Sequence, residues 1–308
     1  MPYEVSKLSE ELSFGSIVTG LMPKDIGKPE IVEELNKLWI DRGLIVFRDA
    51  DPSPEFQVAL SRCFGTLEPH PIPEYWMDGR PDLVAVTSKP EAGNIVALGG
   101  EKFAGWIPWH ADTMYIPNRN HGGILRVTKA TSWGGETRFL DQISAYDTLP
   151  DDLKQLVQDM EIVYQMEGVE ESLFVRKLLD AKLVRSSANA ASMLARVDKD
   201  YPPVVHPAVF EQPETGRRVL NVSPHFAKFV LGYSAAESDE LLVRLMQHIE
   251  SQPFYQHRWS DKNEMILWDN WRMLHSVTGC PVDEVRSMRR TTISGQYPYG
   301  RFLEAQAA

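Results

Sequence analysis

From about residue 83 to the end, the chain is cut into short runs of β-branched and aromatic residues separated by turn formers. The runs are 83–87 (LVAVT), 95–98 (IVAL), 123–128 (GILRVT), 137–140 (TRFL), 161–165, 217–222 (RRVLNV), 264–268 (EMILW) and 291–297 (TTISGQY). Many short strands with polar turns favour a sandwich or barrel over a parallel, doubly wound sheet. The expected fold is therefore mainly β with flanking helices: a jelly-roll sandwich with helices packed outside.

Helical segments precede and interrupt these runs. Ile31, Leu35, Leu38 and Trp39 share one face at helical spacing, and Gly43 stops the helix before the apolar run Leu44-Ile45-Val46-Phe47. A second helix starts with Ser53 as N-cap and Pro54 in its first turn, and ends near Gly65. Others cover roughly 151–160 and lie within 170–195. The last opens at Ser234, where Glu237 completes a capping box ahead of Leu241, Leu242, Leu245 and Ile249. No linker, low-complexity segment or repeat divides the chain, so residues 1–308 read as a single domain.

Composition narrows the function. Hydrophobic residues are 43% and charged residues 24%, as in ordinary folded globules. With 32 basic and 43 acidic residues the net charge is −11, so the mean field repels phosphate and neither nucleic acid nor an anionic membrane is an expected partner. Cys63 and Cys280 stand far apart and make neither a disulfide framework nor a cysteine zinc site. The opening MPYEVSKLSE has no basic-then-apolar pattern and no long apolar window follows, so a cytoplasmic location is expected.

Nucleophile elbows, phosphate loops and dinucleotide fingerprints are missing, which leaves eight histidines to sort. His110 and Asp112 stand in Trp109-His110-Ala111-Asp112-Thr113-Met114-Tyr115, a stretch with strand character. Positions i and i+2 of a strand point the same way, so imidazole and carboxylate can converge on one ion. His248-Ile249-Glu250 has the same pattern but lies in a helical segment, where i and i+2 diverge, and His248 reads as a solvated helix residue. His275 follows an apolar strand and a polar turn. With His110 and Asp112 it completes two imidazoles and one carboxylate, a set that leaves coordination positions open on a non-heme Fe(II).

At this point the chain resembles the taurine and chlorophenoxyacetate dioxygenases. The matching pieces run in order: Leu44–Arg48 (LIVFR), Phe64-Gly65-Thr66-Leu67-Glu68, Trp109-His110-Ala111-Asp112, Gly134-Gly135-Glu136-Thr137, Tyr146-Asp147-Thr148-Leu149-Pro150, Val205-His206-Pro207, Trp268-Asp269-Asn270, His275, and Arg286 to Thr291. The resemblance implies a double-stranded β-helix that uses Fe(II), 2-oxoglutarate and O2. It implies His110, Asp112 and His275 as catalytic iron ligands. Arg286, eleven residues after His275, matches the arginine that grips the distal carboxylate of 2-oxoglutarate, and Thr137 the threonine that assists it. Arg290 matches a second arginine facing the cosubstrate's other end and an acidic substrate. Glu68-Pro69-His70-Pro71 resembles the place of a substrate-binding histidine, His70. Tyr75, Trp76, Asn94, Trp106 and Phe226 fall in segments that could line the pocket, and 167–200 resembles the family's variable helical lid.

The residue types fit independently. A guanidinium presents a planar fork to a carboxylate, and on a strand Arg286 and Arg290 face inward with Arg289 outward. His121, His206 and His257 read as structural, and His225 is open. The expected reaction couples decarboxylation of 2-oxoglutarate, with release of succinate and CO2, to hydroxylation of a small carboxylate or sulfonate. Hydroxylation beside a heteroatom would look like oxidative cleavage, while desaturation and ring formation stay open. Halogenases of the superfamily lack the carboxylate ligand, so Asp112 excludes them. The rival readings are a zinc hydrolase on the same three ligands and a metal-free jelly-roll binding module. Family members are often dimers or tetramers, so a homodimer or homotetramer is expected.

Overall fold

Five consecutive buried residues, Met265–Asp269 (MILWD), form a strand that must lie inside a sheet covered on both faces. It pairs antiparallel with Leu44–Arg48 on one side and Gly122–Lys129 on the other. The computed structural model describes residues 2–70, 73–77, 79–260, 263–295 and 297–304. In it this strand is fourth in an eight-stranded sheet ordered Glu4–Lys7, Ser16–Thr19, Leu44–Arg48, Met265–Asp269, Gly122–Lys129, Arg286–Ile293, Arg80–Ser88 and Trp76–Met77. A second sheet runs Phe254–His257, Thr137–Asp141, Met273–Val277 and Ile107–His110, antiparallel throughout. Phe139 and Met273 of this sheet share one core with Val46, Val127, Trp268 and Met288 of the first. This is the expected jelly roll.

The helices cover it from outside. Pro29–Arg42 buries Ile31, Leu35 and Trp39, and ends at Gly43, which takes φ 71° while its N–H closes on the Trp39 carbonyl at 2.6 Å. Pro54–Arg62 is capped by Ser53 Oγ, which accepts the Phe56 N–H at 3.1 Å. Its Gln57 Nε2 donates to the carbonyls of Ile124 and Arg289, fastening the helix across two strands of the large sheet. Arg289, expected to face outward, is accordingly buried beneath that helix, with Nε donating to Gln57 Oε1 at 2.8 Å. Ala235–Glu250 carries the expected capping box and packs Leu241, Leu242, Leu245 and Ile249 into the largest core. No helix of the described residues is long and apolar enough to cross a membrane.

Three expectations are corrected. The last run lies four or five residues too late: the strand is Arg286–Ile293, whose outward arginine is hidden by a helix, and Gln296 lies outside the described residues. Second, the helical stretch expected within 170–195 is interrupted by a strand. Leu173–Leu178, Ala188–Leu194 and Val197–Asp200 are helical, but Ala181–Arg185 is a strand that adds to Ile95–Leu98, since its alternating burial suits a sheet edge. Third, the strand carrying His110 stops at that residue, Ile107–His110, and Asp112 lies in the following turn.

Candidate active site

His110 and His275 are direct partners across neighbouring antiparallel strands, and their ring centroids lie 4.1 Å apart. The sheet ladder therefore fixes the spacing of the two imidazoles. Asp112 reaches them from its turn: Oδ1 is 3.7 Å from His110 Nε2 and Oδ2 is 3.5 Å from His275 Nε2. One ligand atom from each of the three residues lies within 4.8 Å of the others. Convergence is thus real, but it comes from a turn rather than from strand alternation.

Asn270 holds that turn. Its Oδ1 accepts the Asp112 N–H at 2.8 Å and its Nδ2 donates to the Asp112 carbonyl at 2.9 Å, so both backbone groups of the carboxylate residue are tied to one amide. The next residue, Thr113, has φ 56°, a left-handed conformation that β-branched residues rarely adopt. Its hydroxyl donates to Asn120 Oδ1 at 2.8 Å, which anchors the strained residue. Asn270 was visible only as part of Trp268-Asp269-Asn270; nothing in the spacing foretold a clamp on Asp112.

The donor set fits a divalent transition metal. His110 Nδ1 lies 2.8 Å from the Pro108 carbonyl, which can only accept, so Nδ1 carries a proton and Nε2 is the ring nitrogen turned toward Asp112. Burial, with His110 and Arg290 adding to it against Asp112, pushes the His275 imidazole down to about 3, which keeps it neutral. Burial raises the Asp112 carboxyl, but Arg290 and the two imidazoles outweigh it and hold the group well below the usual carboxylate range. Two imidazoles and one carboxylate are the ligands Fe(II) takes with positions to spare.

Two arginines of the Arg286–Ile293 strand, Arg286 and Arg290, are buried. Arg286 is 7% exposed, and its Nε and Nη2 donate to the Gly135 carbonyl at 3.2 and 2.9 Å. Among the described residues no acidic side chain lies within 4.0 Å of it, and burial pushes its guanidinium down to about 10 against the pull of Cys280 and Glu136. A buried cation without an acid beside it suits an anionic cosubstrate. Gly135 explains the Gly-Gly-Glu-Thr piece: at φ 70° a Cβ there would sit 2.8 Å from Arg286 Nε. Two residues on, Thr137 Oγ1 accepts the Trp259 indole N–H at 2.9 Å, which leaves its own proton to donate. Trp259 was not foreseen.

Arg290 takes another position. Its Nη1 is 2.9 Å from Asp112 Oδ2, its guanidinium lies 5.1 Å over the Trp268 ring, and its Nε and Nη2 are buried without a hydrogen-bond partner. Burial raises the nearby Glu68 carboxyl, while Ser294 and Arg290 draw it back. The field around Arg290 is therefore mixed rather than simply positive.

The remaining expected residues are scattered. His70 is 8% exposed and stands edge-on to Tyr75 at 5.8 Å, whereas Pro71 of its motif lies outside the described residues. Trp76 is 39% exposed and donates its indole N–H to the His70 carbonyl at 2.7 Å, so it supports the histidine's backbone from the surface. Asn94 Oδ1 accepts the Ser187 N–H at 2.6 Å and so fastens the 167–200 segment instead of facing the triad. Trp106 is buried in the main core. Phe226 stands edge-on to His110, centroids 6.2 Å apart. His248 is half-buried, with Nε2 2.8 Å from the Ala145 carbonyl, not solvated. A cavity of about 310 Å³ opens elsewhere, between Phe103, Trp133, Glu136 and Arg258, and takes in none of the triad.

Residues 5–292 match the family described as Taurine catabolism dioxygenase TauD, TfdA family. The (S)-phenoxypropionate/alpha-ketoglutarate-dioxygenase of Sphingobium herbicidovorans is 28% identical over 292 residues, 92% of this chain and 93% of that protein. The alpha-ketoglutarate-dependent 2,4-dichlorophenoxyacetate dioxygenase of Cupriavidus pinatubonensis is 28% identical over 277 residues, 85% of this chain and 88% of that protein. The structure of AAD-2 in complex with Mn(II) and N-oxalylglycine superposes with a TM-score of 0.72 at 25% identity, over 97% of this chain and 100% of that one. The chain belongs to the TauD, TfdA family of taurine catabolism dioxygenases, and is a dioxygenase that uses Fe(II), 2-oxoglutarate and O2.

Proposed function

We propose that this dioxygenase oxidises a small organic acid, a carboxylate or sulfonate with an apolar portion, at a carbon close to the anionic group. In this reading residues 1–308 act as one catalytic unit. His110, Asp112 and His275 hold Fe(II), Arg286 and Thr137 grip the distal carboxylate of 2-oxoglutarate, and Arg290 with His70 receives the substrate's anionic group. Phe226 and Trp106 bound its apolar body, Trp76 steadies His70, and 167–200 is the lid.

The observation that carries the reading is the pair of separate buried guanidiniums. Arg286 faces the Gly135 carbonyl, whereas Arg290 points at the triad with two donors unpartnered. Two buried cations on one strand, one of them at the triad, suit two anions, the cosubstrate and a substrate. The relatives named above act on aryloxy acids, which supports the same class. A zinc hydrolase would use the triad but leave Arg286 without a task.

The iron supplies the redox chemistry with O2 that couples decarboxylation of 2-oxoglutarate to oxidation of a C–H bond. The chain's own work is positional. The Pro108 carbonyl keeps the His110 proton on Nδ1, Asn270 fixes the Asp112 backbone, and Phe139 and Trp268 hold the His275 ring from two sides. Arg286 and Thr137 orient the cosubstrate by a fork and a hydroxyl, and the apolar walls keep water from competing.

The test is O2 uptake and succinate release with Fe(II) and 2-oxoglutarate across aryloxyalkanoates, alkyl sulfonates and their neutral amide and amine counterparts. Turnover confined to the acids, lowered by His70→Ala, is the expected result. A neutral or cationic best substrate removes the substrate class.

A further inference from the structure

We propose that Glu167 sets the shape of the substrate side of the site by holding Phe226 in a backbone conformation that phenylalanine rarely adopts. The inference rests on the substrate-side reading above and adds a specificity-determining, positioning residue to it.

Phe226 has φ 79°, in the left-handed region where a Cβ crowds the following carbonyl. Such a conformation persists only where the surroundings impose it. Both of its backbone groups are held by one short segment. Its N–H donates to Glu167 Oε1 at 2.8 Å, and its carbonyl accepts the Gln165 N–H at 3.1 Å. Glu167 is 5% exposed and fully engaged: Oε2 accepts from Lys228 Nζ at 2.7 Å, and His225 Nδ1 lies 3.3 Å from Oε1.

The same turn is fastened to the strand of His110. The His225 N–H donates to the Trp109 carbonyl at 3.1 Å. Ser223 Oγ accepts the Ala111 N–H at 3.1 Å and donates to the His225 carbonyl at 2.8 Å. Residues 223–226 thus bridge the neighbours of His110 on one side and 165–167 on the other. Between these fastenings the Phe226 ring stands edge-on to His110 and to Tyr115, the latter at 5.1 Å, with the His225 ring 4.1 Å away.

Glu167 is also where the 167–200 segment begins, the stretch that holds the Ala181–Arg185 strand and the Asn94-bound Ser187. A displacement of that segment is therefore passed to Phe226 through one carboxylate. A shorter side chain would not reach the Phe226 N–H, and a neutral one would leave Lys228 without its counter-charge. Because the ring borders the space beside His110, its position governs how close an apolar substrate body comes to the metal.

The holoenzyme with Fe(II), 2-oxoglutarate and its best acid substrate tests this. Glu167→Ala is expected to raise the substrate KM about tenfold, the size of one lost hydrogen bond to a charged group. The 2-oxoglutarate KM should stay within about twofold, and hydroxylated product per succinate should fall. Glu167→Gln, which keeps the oxygen acceptor, should recover part of the loss. In a Phe226→Ala background, Glu167→Ala should add less than about twofold, because the two act through one contact. An equal effect in both backgrounds, or a fall in kcat with the substrate KM unmoved, overturns the proposal.

If Glu167→Ala does not fold, Lys228→Met loosens the same carboxylate and should shift the substrate KM in the same direction; an unmoved KM overturns the latch. Hydrogen exchange at the Phe226 amide separates this inference from the functional one. Faster exchange in Glu167→Ala supports the latch even if no acid is oxidised, and unchanged exchange removes it while wild-type turnover leaves the functional reading standing.

Discussion

Replacing Arg286 with methionine keeps much of the side-chain volume and removes the charge. In the structure that charge is buried, donates twice to one carbonyl and faces no carboxylate among the described residues. For the fold, the substitution loses a hydrogen bond at Gly135 and relieves the desolvation of a cation. The two terms oppose each other, and the net change in stability should stay within about 1–2 kcal/mol. For 2-oxoglutarate the effect is one-sided, because its distal carboxylate then enters the site unpaired. A buried charge stripped of its partner costs about 2–5 kcal/mol, which is roughly a 30-fold to several-thousand-fold rise in the 2-oxoglutarate requirement. Arg286→Lys should fall between, since an ammonium keeps the charge but not the fork. The assay is O2 uptake against 2-oxoglutarate concentration at saturating Fe(II) and acid substrate. Thermal unfolding with and without 2-oxoglutarate accompanies it, where a ligand at 100 Kd adds about 2.7 kcal/mol to the wild type and nothing to a variant that cannot bind it. A 2-oxoglutarate KM within threefold of wild type refutes the role of Arg286; a collapse of the fold refutes the opposition of terms.

Four further outcomes are expected. Stripping metal with a chelator should abolish O2 uptake, and Asp112→Ala should fail to regain Mn(II) affinity, read by titration calorimetry. Asn270→Ala leaves the Asp112 N–H and carbonyl without their partner, so it should cost about 3 kcal/mol, lower the Tm by roughly 4–5 °C and weaken Mn(II) binding; an unchanged Mn(II) titration would show that the clamp does not act on the carboxylate. Trp259→Phe removes the donor to Thr137 Oγ1 and should raise the 2-oxoglutarate KM about threefold to tenfold without touching the substrate KM. His206 is fully buried, and burial with the Arg119 charge pushes it from 6.5 down to about 3. The unfolded chain therefore takes up a proton that the fold refuses: the stability from His206 is present above pH 6.5 and falls by up to about 1.4 kcal/mol per pH unit toward pH 3. His206→Gln should flatten that slope in urea titrations, and an equally steep slope would assign the loss to other groups.

The sequence pattern revealed the sandwich because its strands are short, β-branched and bounded by turn formers, as at Ile95–Leu98 and Thr137–Asp141. His110, Asp112 and His275 were legible by residue type, whereas the roles of Arg286 and Arg290 came from the family resemblance and only their common facing from spacing along one strand. What escaped was set by contacts between distant segments. Asp112 was placed with the histidines by strand alternation, yet it is an amide from residue 270 that aims its turn. Arg289 was read as outward because period two says nothing of a helix laid over that face. Helix was expected within 170–195 and is found there, but the Ala181–Arg185 strand between the helices escaped, because the edge at Ile95–Leu98 that recruits it lies far away in sequence. Glu167 carried no signal, since its importance lies in the φ of a residue 59 positions on.

The rung that joins His110 to His275 closes a chain loop of about 165 residues. His110 and Asp112 are two residues apart, so that pair of donors is at hand in any partly folded chain, and the second imidazole arrives only when the two ends of the jelly roll have met. An ion holding all three would act as a staple across a long-range contact of the sheet. Contacts of that kind form after much loop-closure entropy has been spent, and they are absent from an early transition state. The metal's stabilisation would then appear in the kinetics as slower unfolding with an almost unchanged refolding rate. The ion that equips the enzyme for oxygen chemistry would, by the same three bonds, lengthen the lifetime of the fold.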